Sequence, residues 1–426
     1  MDVSGLTEHL FRHEAGKLVA VLTGIFGIER LQLAEDVVQE AMVGALQTWP
    51  YYGVPNNPAA WLMQAAKNLA LDTIRRERTF NDKQAQILAL IEQRSGDATG
   101  GESPGFGDEI KDDRLRMMFV CCHPLIPVEA QIALALKTLC GFSPGEIAKA
   151  FLTTETAIAK RLTRAKQKIR EARIAFEIPE GEELARRLDG VLQSLYLLFN
   201  EGYKASSGET LVREDVCREA IRLTESLAQH PAGNQPRTHA LLALMLLNAA
   251  RLPTRVDENG NLLRLQEQDR THWDQPMIAR GMYHLAQSAV GSAVSEYHLQ
   301  AGIAACHCAA KDHESTDWQR ILSLYDRLFE LDDSPVVALN RAVAVARVQG
   351  PSAAIEAVAA IPNLQSLESY HLLYAVLAEF ESLVKNYIAA ASHLRKAIQL
   401  TEIRSERSLL AKRLQACEDQ IQLERR

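Results

Sequence analysis

Apolar residues recur at three- and four-residue intervals through most of this chain, and runs of β-branched residues are few. That spacing predicts an all-α protein. Residues 6–30 read as one or two amphipathic helices, with Leu10, Leu18, Val21, Leu22 and Ile25 on the apolar side. Residues 33–49 read as another, ending before Trp49-Pro50. Asn57 stands where it can cap a helix whose first residue is Pro58, and proline is best tolerated there because that N–H has no helical partner. This helix should carry Trp61, Leu62, Ala65, Ala66, Leu69 and Ile74 inward and end near Arg78, its basic end suiting the negative pole of the helix dipole. Asp72 is spaced to pair with Arg75 or Arg76.

The sharpest local pattern lies further on. Ser143 and Glu146 form a Ser-x-x-Glu capping box around Pro144, so a short helix begins there and runs to about Phe151. Leu152-Thr153-Thr154 breaks it, and a threonine caps a second, longer helix that begins near Glu155 and ends near Arg173. Ile147, Ala148, Phe151, Ile158 and Leu162 form the inward seam. Lys160, Arg161, Arg164, Lys166, Lys168, Arg170 and Arg173 are opposed on the second helix only by Glu155 and Glu171. This is a helix-turn-helix: base-reading positions near the start of one helix, with cations for phosphates behind them. The plainer account is a solvated basic face in an ordinary helical hairpin.

Between and beyond these segments the texture changes. Residues 81–111 include a polar, acidic, glycine-rich stretch that cannot bury a core and is expected to be a flexible linker. A second boundary falls near Ile178-Pro179-Glu180-Gly181. The remainder, 182–426, is helical in pattern throughout. Its clearest repeat signal comes late, where Tyr374, Leu377, Ala378, Tyr387, Ala390, Leu394 and Ala397 fall near tetratricopeptide spacing. Ala353, Ala357 and Ala360 fit the second helix of a preceding unit. Stacked helix pairs of this kind build a surface that grips partners.

Charge sharpens the division. The chain carries a net −7, yet residues 112–176 hold 11 Lys/Arg against 6 Asp/Glu, whereas residues 177–426 hold 26 against 33. One basic module therefore sits in an acidic chain, and the local sign governs contact with DNA. No apolar run reaches the roughly 20 residues of a membrane span, and no signal-peptide pattern opens the sequence, so a cytoplasmic location is expected. The 7 cysteines are scattered through apolar segments and suit reduced thiols. Cys121-Cys122-His123 and Cys306-His307-Cys308 place neighbouring side chains about 100° apart on a helix, a poor arrangement for converging metal ligands. No phosphate-binding glycine loop, nucleophile elbow or metalloprotease motif is present, so no enzyme, cofactor or metal is expected.

Longer strings then point to a family. The sequences AEDVVQE (34–40) and PAAWL (58–62), followed by Asn68, Asp72, Arg75 and Arg76, resemble region 2 of bacterial extracytoplasmic-function sigma factors. KRLTRAK (160–166) within the helix-turn-helix resembles their region 4. LYLLFNEGY (195–203), QDRTHWD (268–274) and SPVVALNRAV (334–343) resemble a subgroup with a long tetratricopeptide-like extension. The resemblance implies four parts: region 2 (1–80), the acidic linker (81–111), region 4 (112–176) and a regulatory extension (182–426). It implies a promoter-specificity subunit of RNA polymerase. Asp36, Gln39 and Glu40 would then meet the clamp helices of the largest core subunit. Asn56 and Asn57 would border the loop that catches a −10 base, with Lys67, Arg75 and Arg76 on phosphates. Thr156, Lys160, Arg161, Arg164 and Lys166 would read and hold the −35 duplex. Trp61 is expected in the core rather than stacked on a base. The extension would tune activity from within and offer a site for a protein partner. A conventional helix-turn-helix activator or repressor, and an interaction scaffold, are the alternatives the motif alone leaves open.

Overall fold

The computed structural model describes residues 3–76, 104–150, 153–203, 214–257, 262–401 and 403–424, and those residues are helices joined by turns, with one isolated β-bridge between Val256 and Leu262. Contacts divide the chain into two compact units, Met1–Leu198 and Phe199–Arg426.

In the first unit, α1 (Val3–Phe26) is one long helix, stopped where Gly27 adopts a φ of 89°. Leu18, Val21 and Leu22 are buried as the pattern requires. A short 3-10 turn leads into α2 (Leu31–Tyr52), which continues past the expected stop at Trp49-Pro50. Pro50 forfeits only its own N–H bond in the last turn, and the helix ends instead at Gly53, whose φ of 83° few other residues tolerate. Asn57 caps α3 (Pro58–Arg76), its Oδ1 accepting from the Ala60 N–H at 3.1 Å. Asp72 pairs with Arg75 at 3.6 Å on the solvent side.

The expected linker lies outside the described residues over 81–103. Residues 104–111 already belong to α4 (Pro104–Cys121), which leads to α5 (Val128–Cys140), α6 (Pro144–Ala150) and α7 (Glu155–Glu171). Helix α1 packs on α4 and α5 as well as on α2. Gly16 sits so close to α5 that a Cβ there would lie 2.1 Å from the Leu139 carbonyl oxygen, so only glycine permits this approach. α8 (Gly181–Tyr203) crosses the division between the units. Its first turns belong to the first, where a Cβ at Gly190 would meet Gln131 at 3.1 Å and Ser194 Oγ lies 3.4 Å from Cys122 Sγ. Burial pushes the Cys122 thiol up to about 12, consistent with an inert packing role.

The second unit continues through α9 (Glu214–Gln229), α10 (Pro236–Ala249), α11 (Gln275–Ser288), α12 (Glu296–Ala309) and α13 (Trp318–Leu331). It ends with α14 (Pro335–Val348), α15 (Pro351–Ala359), α16 (His371–Leu383), α17 (Tyr387–Leu400) and α18 (Arg404–Glu424). Neighbouring helices fold back on each other, and the later ones bury two apolar clusters, one from Leu299 to Phe380 and one from Ala378 to Cys417. Ala378, Ala390, Leu394 and Ala397 are fully buried, so the small residues at 374–397 do set the close approach of α16 and α17. In α15 Ala354 and Val358 are fully buried, the expected Ala353 and Ala357 are half-buried against the same core, and Ala360 is exposed. An alanine-rich helix leaves its register open, because its faces differ so little in hydrophobicity.

Candidate nucleic-acid interface

The helix-turn-helix is built from its own sequence signals. The Ser143 N–H donates to Glu146 Oε2 at 2.8 Å, and the Glu146 N–H returns to Ser143 Oγ at 3.2 Å. Both orphan donors at the start of α6 are thus satisfied. Thr154 caps α7 by accepting from the Ala157 N–H at 3.2 Å. Ile147 and Ala148 on α6 and Ile158, Leu162, Ala165 and Ile169 on α7 are all buried, which fixes the rotation of α7 about its axis. Phe151 lies outside the described residues.

That rotation sorts the five expected DNA contacts. Thr156, Lys160 and Arg164 recur every four residues on the solvent side and are exposed, with Thr163 beside them. Lys160 and Arg164 form no ion pair among the described residues. Arg161 turns sideways and meets Glu129 of α5 at 3.1 Å, an open pair of a kind that contributes little. Lys166 does not join the row. Its Nζ reaches back to α2, 2.5 Å from Glu35 Oε2 and 2.9 Å from Gln32 Oε1. Glu35 is only 5% exposed and accepts a further bond from Thr138 Oγ1 at 3.3 Å. Position 166 follows the buried Ala165 and lies one turn from Leu162, so its side chain rises beside the seam. There it neutralises a carboxylate that is itself out of water.

The region from α2 to α3 offers two surfaces. Asp36, Gln39 and Glu40 are exposed in one row with Gln32. The row continues into Val43 and Leu46, which are 51% and 47% exposed, so the helix presents an acidic end and an apolar end side by side. The turn after α2 borders an open pocket of about 550 Å³ lined by Trp49, Tyr52, Val54, Pro55, Asn56 and Trp61. Trp61 meets the buried Trp49 edge to face at 5.6 Å, so it packs as expected, yet it also forms a wall of the pocket. Asn56 is exposed at the rim, and Asn57, the α3 cap next to it, is exposed as well.

Lys67 departs from its expected place on a phosphate-binding face. It is 5% exposed, among Met63, Ala66, Ala70 and Ile74 on the inward side of α3. Arg75 is exposed near the end of that helix, and the side chain of Arg76 lies outside the described residues. Sequence reasoning passed over Tyr51 and Tyr52, which are 85% and 89% exposed beside the pocket. An aromatic pair between Pro50 and the helix-stopping Gly53 was the available signal, since such rings seldom stand free in water without a use.

A capped helix-turn-helix with an outward cationic row, beside an aromatic pocket on a separate helical layer, defines a DNA-binding transcription protein. Comparison with known proteins is more particular. Residues 10–80 match sigma-70 region 2, residues 116–169 match sigma-70 region 4, and residues 187–289 match a family of unknown function (DUF6596). The uncharacterized protein R00370 of Rhizobium meliloti (strain 1021) is 41% identical over 327 residues, 76% of this chain and 76% of that one. No solved structure matches. The chain belongs to the sigma-70 family, as an extracytoplasmic-function-like sigma factor with a C-terminal extension. A sigma factor is a binding subunit for core RNA polymerase and promoter DNA, not a catalyst. Among the described residues no helix is long and apolar enough to cross a membrane.

Proposed function

We propose that this chain directs core RNA polymerase to a dedicated promoter class through three separate surfaces. The outer row of α7 takes the −35 duplex, with Thr156 and Lys160 nearest the bases and Arg164 on the backbone. The pocket between α2 and α3 receives a base unstacked from the −10 element, with Asn56 and Asn57 at its mouth, Trp61 as its wall and Arg75 on the adjoining phosphates. The Asp36, Gln39 and Glu40 face of α2 docks on basic residues of the polymerase clamp helices, its apolar end at Val43 and Leu46 adding buried area. Residues 182–426 regulate these contacts and give a partner a place to bind.

The observation that supports the reading most directly is the free outward row of Lys160 and Arg164 immediately behind the Thr154 cap. A helix stabilised at its start and cationic on its open face is what duplex binding requires. The test is transcription of fragmented genomic DNA by core polymerase with and without the purified full chain, mapping RNA 5′ ends. Discrete starts sharing −10 and −35 sequences, absent with core alone, are expected. Stable duplex binding without core, and no new starts, would instead indicate a conventional activator or repressor.

A further inference from the structure

The extension matches its arginines to carboxylates as a habit. Arg341 meets Asp326 at 2.6 Å, Arg395 meets Glu418 at 2.6 Å, and Arg413 meets Glu379 at 2.7 Å. Arg251 and Arg270 break the habit. Neither forms an ion pair among the described residues, although Arg270 is only 7% exposed and Arg251 is half-buried. Both guanidinium groups stand over the ring of the buried Trp273, at 5.5 and 5.1 Å from its centre. Trp273 is itself pinned by an Nε1 bond to Thr254 Oγ1 at 2.9 Å.

Arg270 is partly employed. Its Nη1 donates to the His307 carbonyl at 2.7 Å and to the Ala310 carbonyl at 3.2 Å, closing the end of α12, and its Nη2 donates to Thr316 Oγ1 at 2.9 Å. Its Nε has no acceptor, nor has the buried Nε of Arg251 or Nδ1 of His307. The Arg251 guanidinium makes no hydrogen bond among the described residues. His307, 9% exposed, rests edge to face on Trp318 at 5.4 Å, and both Arg251 and Arg270 act on it electrostatically. Asp312, the acidic group that bears on Arg270, is exposed and engaged by the Ser315 N–H at 2.7 Å.

An unpaired guanidinium held partly out of water is costly, and a second one nearby raises the cost. Stacking on tryptophan orients such a group without neutralising it. What the cluster lacks is an acceptor carrying negative charge. Metal cations are repelled by it, and a duplex cannot follow groups sunk among helix ends. We propose that Arg251, Arg270 and His307 form a receptor site for the oxyanion of a small metabolite, a carboxylate or a phosphate. Arg251 supplies the guanidinium fork at the half-open edge, Arg270 Nε and His307 supply donors behind it, and Trp273 holds the two cations in place. The extension thereby gains a chemical input of its own. The site does not depend on the sigma-factor reading, since its occupancy is read without polymerase or DNA.

The test is thermal unfolding of the full chain in inorganic phosphate and in citrate, against chloride at matched ionic strength. At least one of the two anions should raise the midpoint by about 5 °C near saturation, since a ligand bound only to the folded state stabilises it by mass action. The Arg251→Met variant keeps the apolar stem over Trp273 and removes the charge. It should lose the anion-dependent rise while melting in chloride at the wild-type temperature or above, because an uncompensated cation has gone. A merely structural Arg251 predicts the opposite sign in chloride. Arg395→Met, which removes a cation paired with Glu418 outside the cluster, should keep the anion-dependent rise. The proposal is overturned if neither anion moves the wild type beyond chloride, or if Arg251→Met retains the rise.

Discussion

Cations without carboxylate partners occur in both units, in opposite settings. On α7, Lys160 and Arg164 stand in water on a helix whose rotation is fixed by Ile158, Leu162, Ala165 and Ile169. In the extension, Arg251 and Arg270 lie against a buried tryptophan, with donor atoms shut off from solvent. An exposed cation costs nothing to leave unpaired and is free for a phosphate that arrives later. A buried one carries a standing penalty that an anion of the right size relieves. Lys166 shows the third case, since the same helix that leaves Lys160 and Arg164 free matches its inward cation to Glu35. Burial, more than sequence neighbourhood, separates a duplex contact from an internal pair and from a small-anion site.

The strongest way to break this comparison is to remove the carboxylate from the buried Lys166–Glu35 pair. Glu35→Gln leaves Lys166 beside an amide with little water, and should lower unfolding stability by about 3 kcal/mol. Urea denaturation of the full chain, following the first unit's transition, measures it. Glu35→Gln combined with Lys166→Met should recover much of the loss, and independent additive losses would show that the two residues do not act as a pair. The contrast with Arg251→Met, where loss of a buried cation is expected to cost nothing, is what makes the two environments distinct.

Replacing Lys160 and Arg164 together by alanine should leave stability unchanged and weaken binding to a promoter duplex by about 2 kcal/mol, roughly thirtyfold. The slope of log affinity against log salt should fall by about 1, for the phosphate that Arg164 no longer holds, since Lys160 stands nearest the bases. Fluorescence anisotropy with the holoenzyme at several salt concentrations reads both quantities. Weaker binding with an unchanged slope would place these side chains on bases, away from the backbone.

How much of this was legible in the sequence divides along the same line. The capping box at Ser143, the Thr154 and Asn57 caps and the seam through Ile158 and Leu162 are local, and a local signal survives folding. Cations usually point outward, and on sequence alone that places Lys67 and Lys166 in solvent. The layers that pack over α3 and beside α7 come from elsewhere in the chain, and those layers decide which side of each helix is wet. The exposed Tyr51-Tyr52 pair lies beyond a helix end expected at Trp49, so its place on a pocket rim is hidden by one misplaced turn. The Arg251, Arg270 and His307 cluster draws on three segments far apart in sequence. Of these, the string around Arg270 stands out only as a family resemblance, and the tripeptide around His307 only as a poor metal motif.

A titration sharpens the picture of the extension. Burial holds His307 down to about 3 and His284 down to about 4, both from an ordinary 6.5, with nearby arginines adding to the shift. Each ring therefore stays neutral in the fold while it would protonate in the unfolded chain. Their contribution is complete above pH 6.5 and is lost progressively as pH falls toward the folded values. The expected slope is about 1.4 kcal/mol per pH unit for the buried His307 across that window, and shallower for the half-exposed His284, which solvent screens. Unfolding free energies of the second unit measured from pH 7.5 to 4.5 check this. Saturating anion at the Arg251 site should shallow the slope, because a negative neighbour raises the His307 value.

The smallest effect concerns the start of α7, where the two halves of the DNA argument meet. Thr154→Ala removes the hydroxyl that accepts from the Ala157 N–H and should cost about 1 kcal/mol, the usual worth of such a cap. Thr156 sits in the uncapped turn, one turn before Lys160, whereas Arg164 lies two turns further along. Fraying therefore loosens the base-reading end of the helix and leaves the phosphate-holding middle intact. Discrimination between a cognate and a scrambled −35 sequence should drop about threefold in Thr154→Ala, with the salt slope unchanged. The Lys160 and Arg164 double variant should do the reverse to the slope. If the cap variant instead lowered affinity for both sequences equally, the start of α7 would be contributing charge and position only, and base reading would have to lie further along the row, near Thr163.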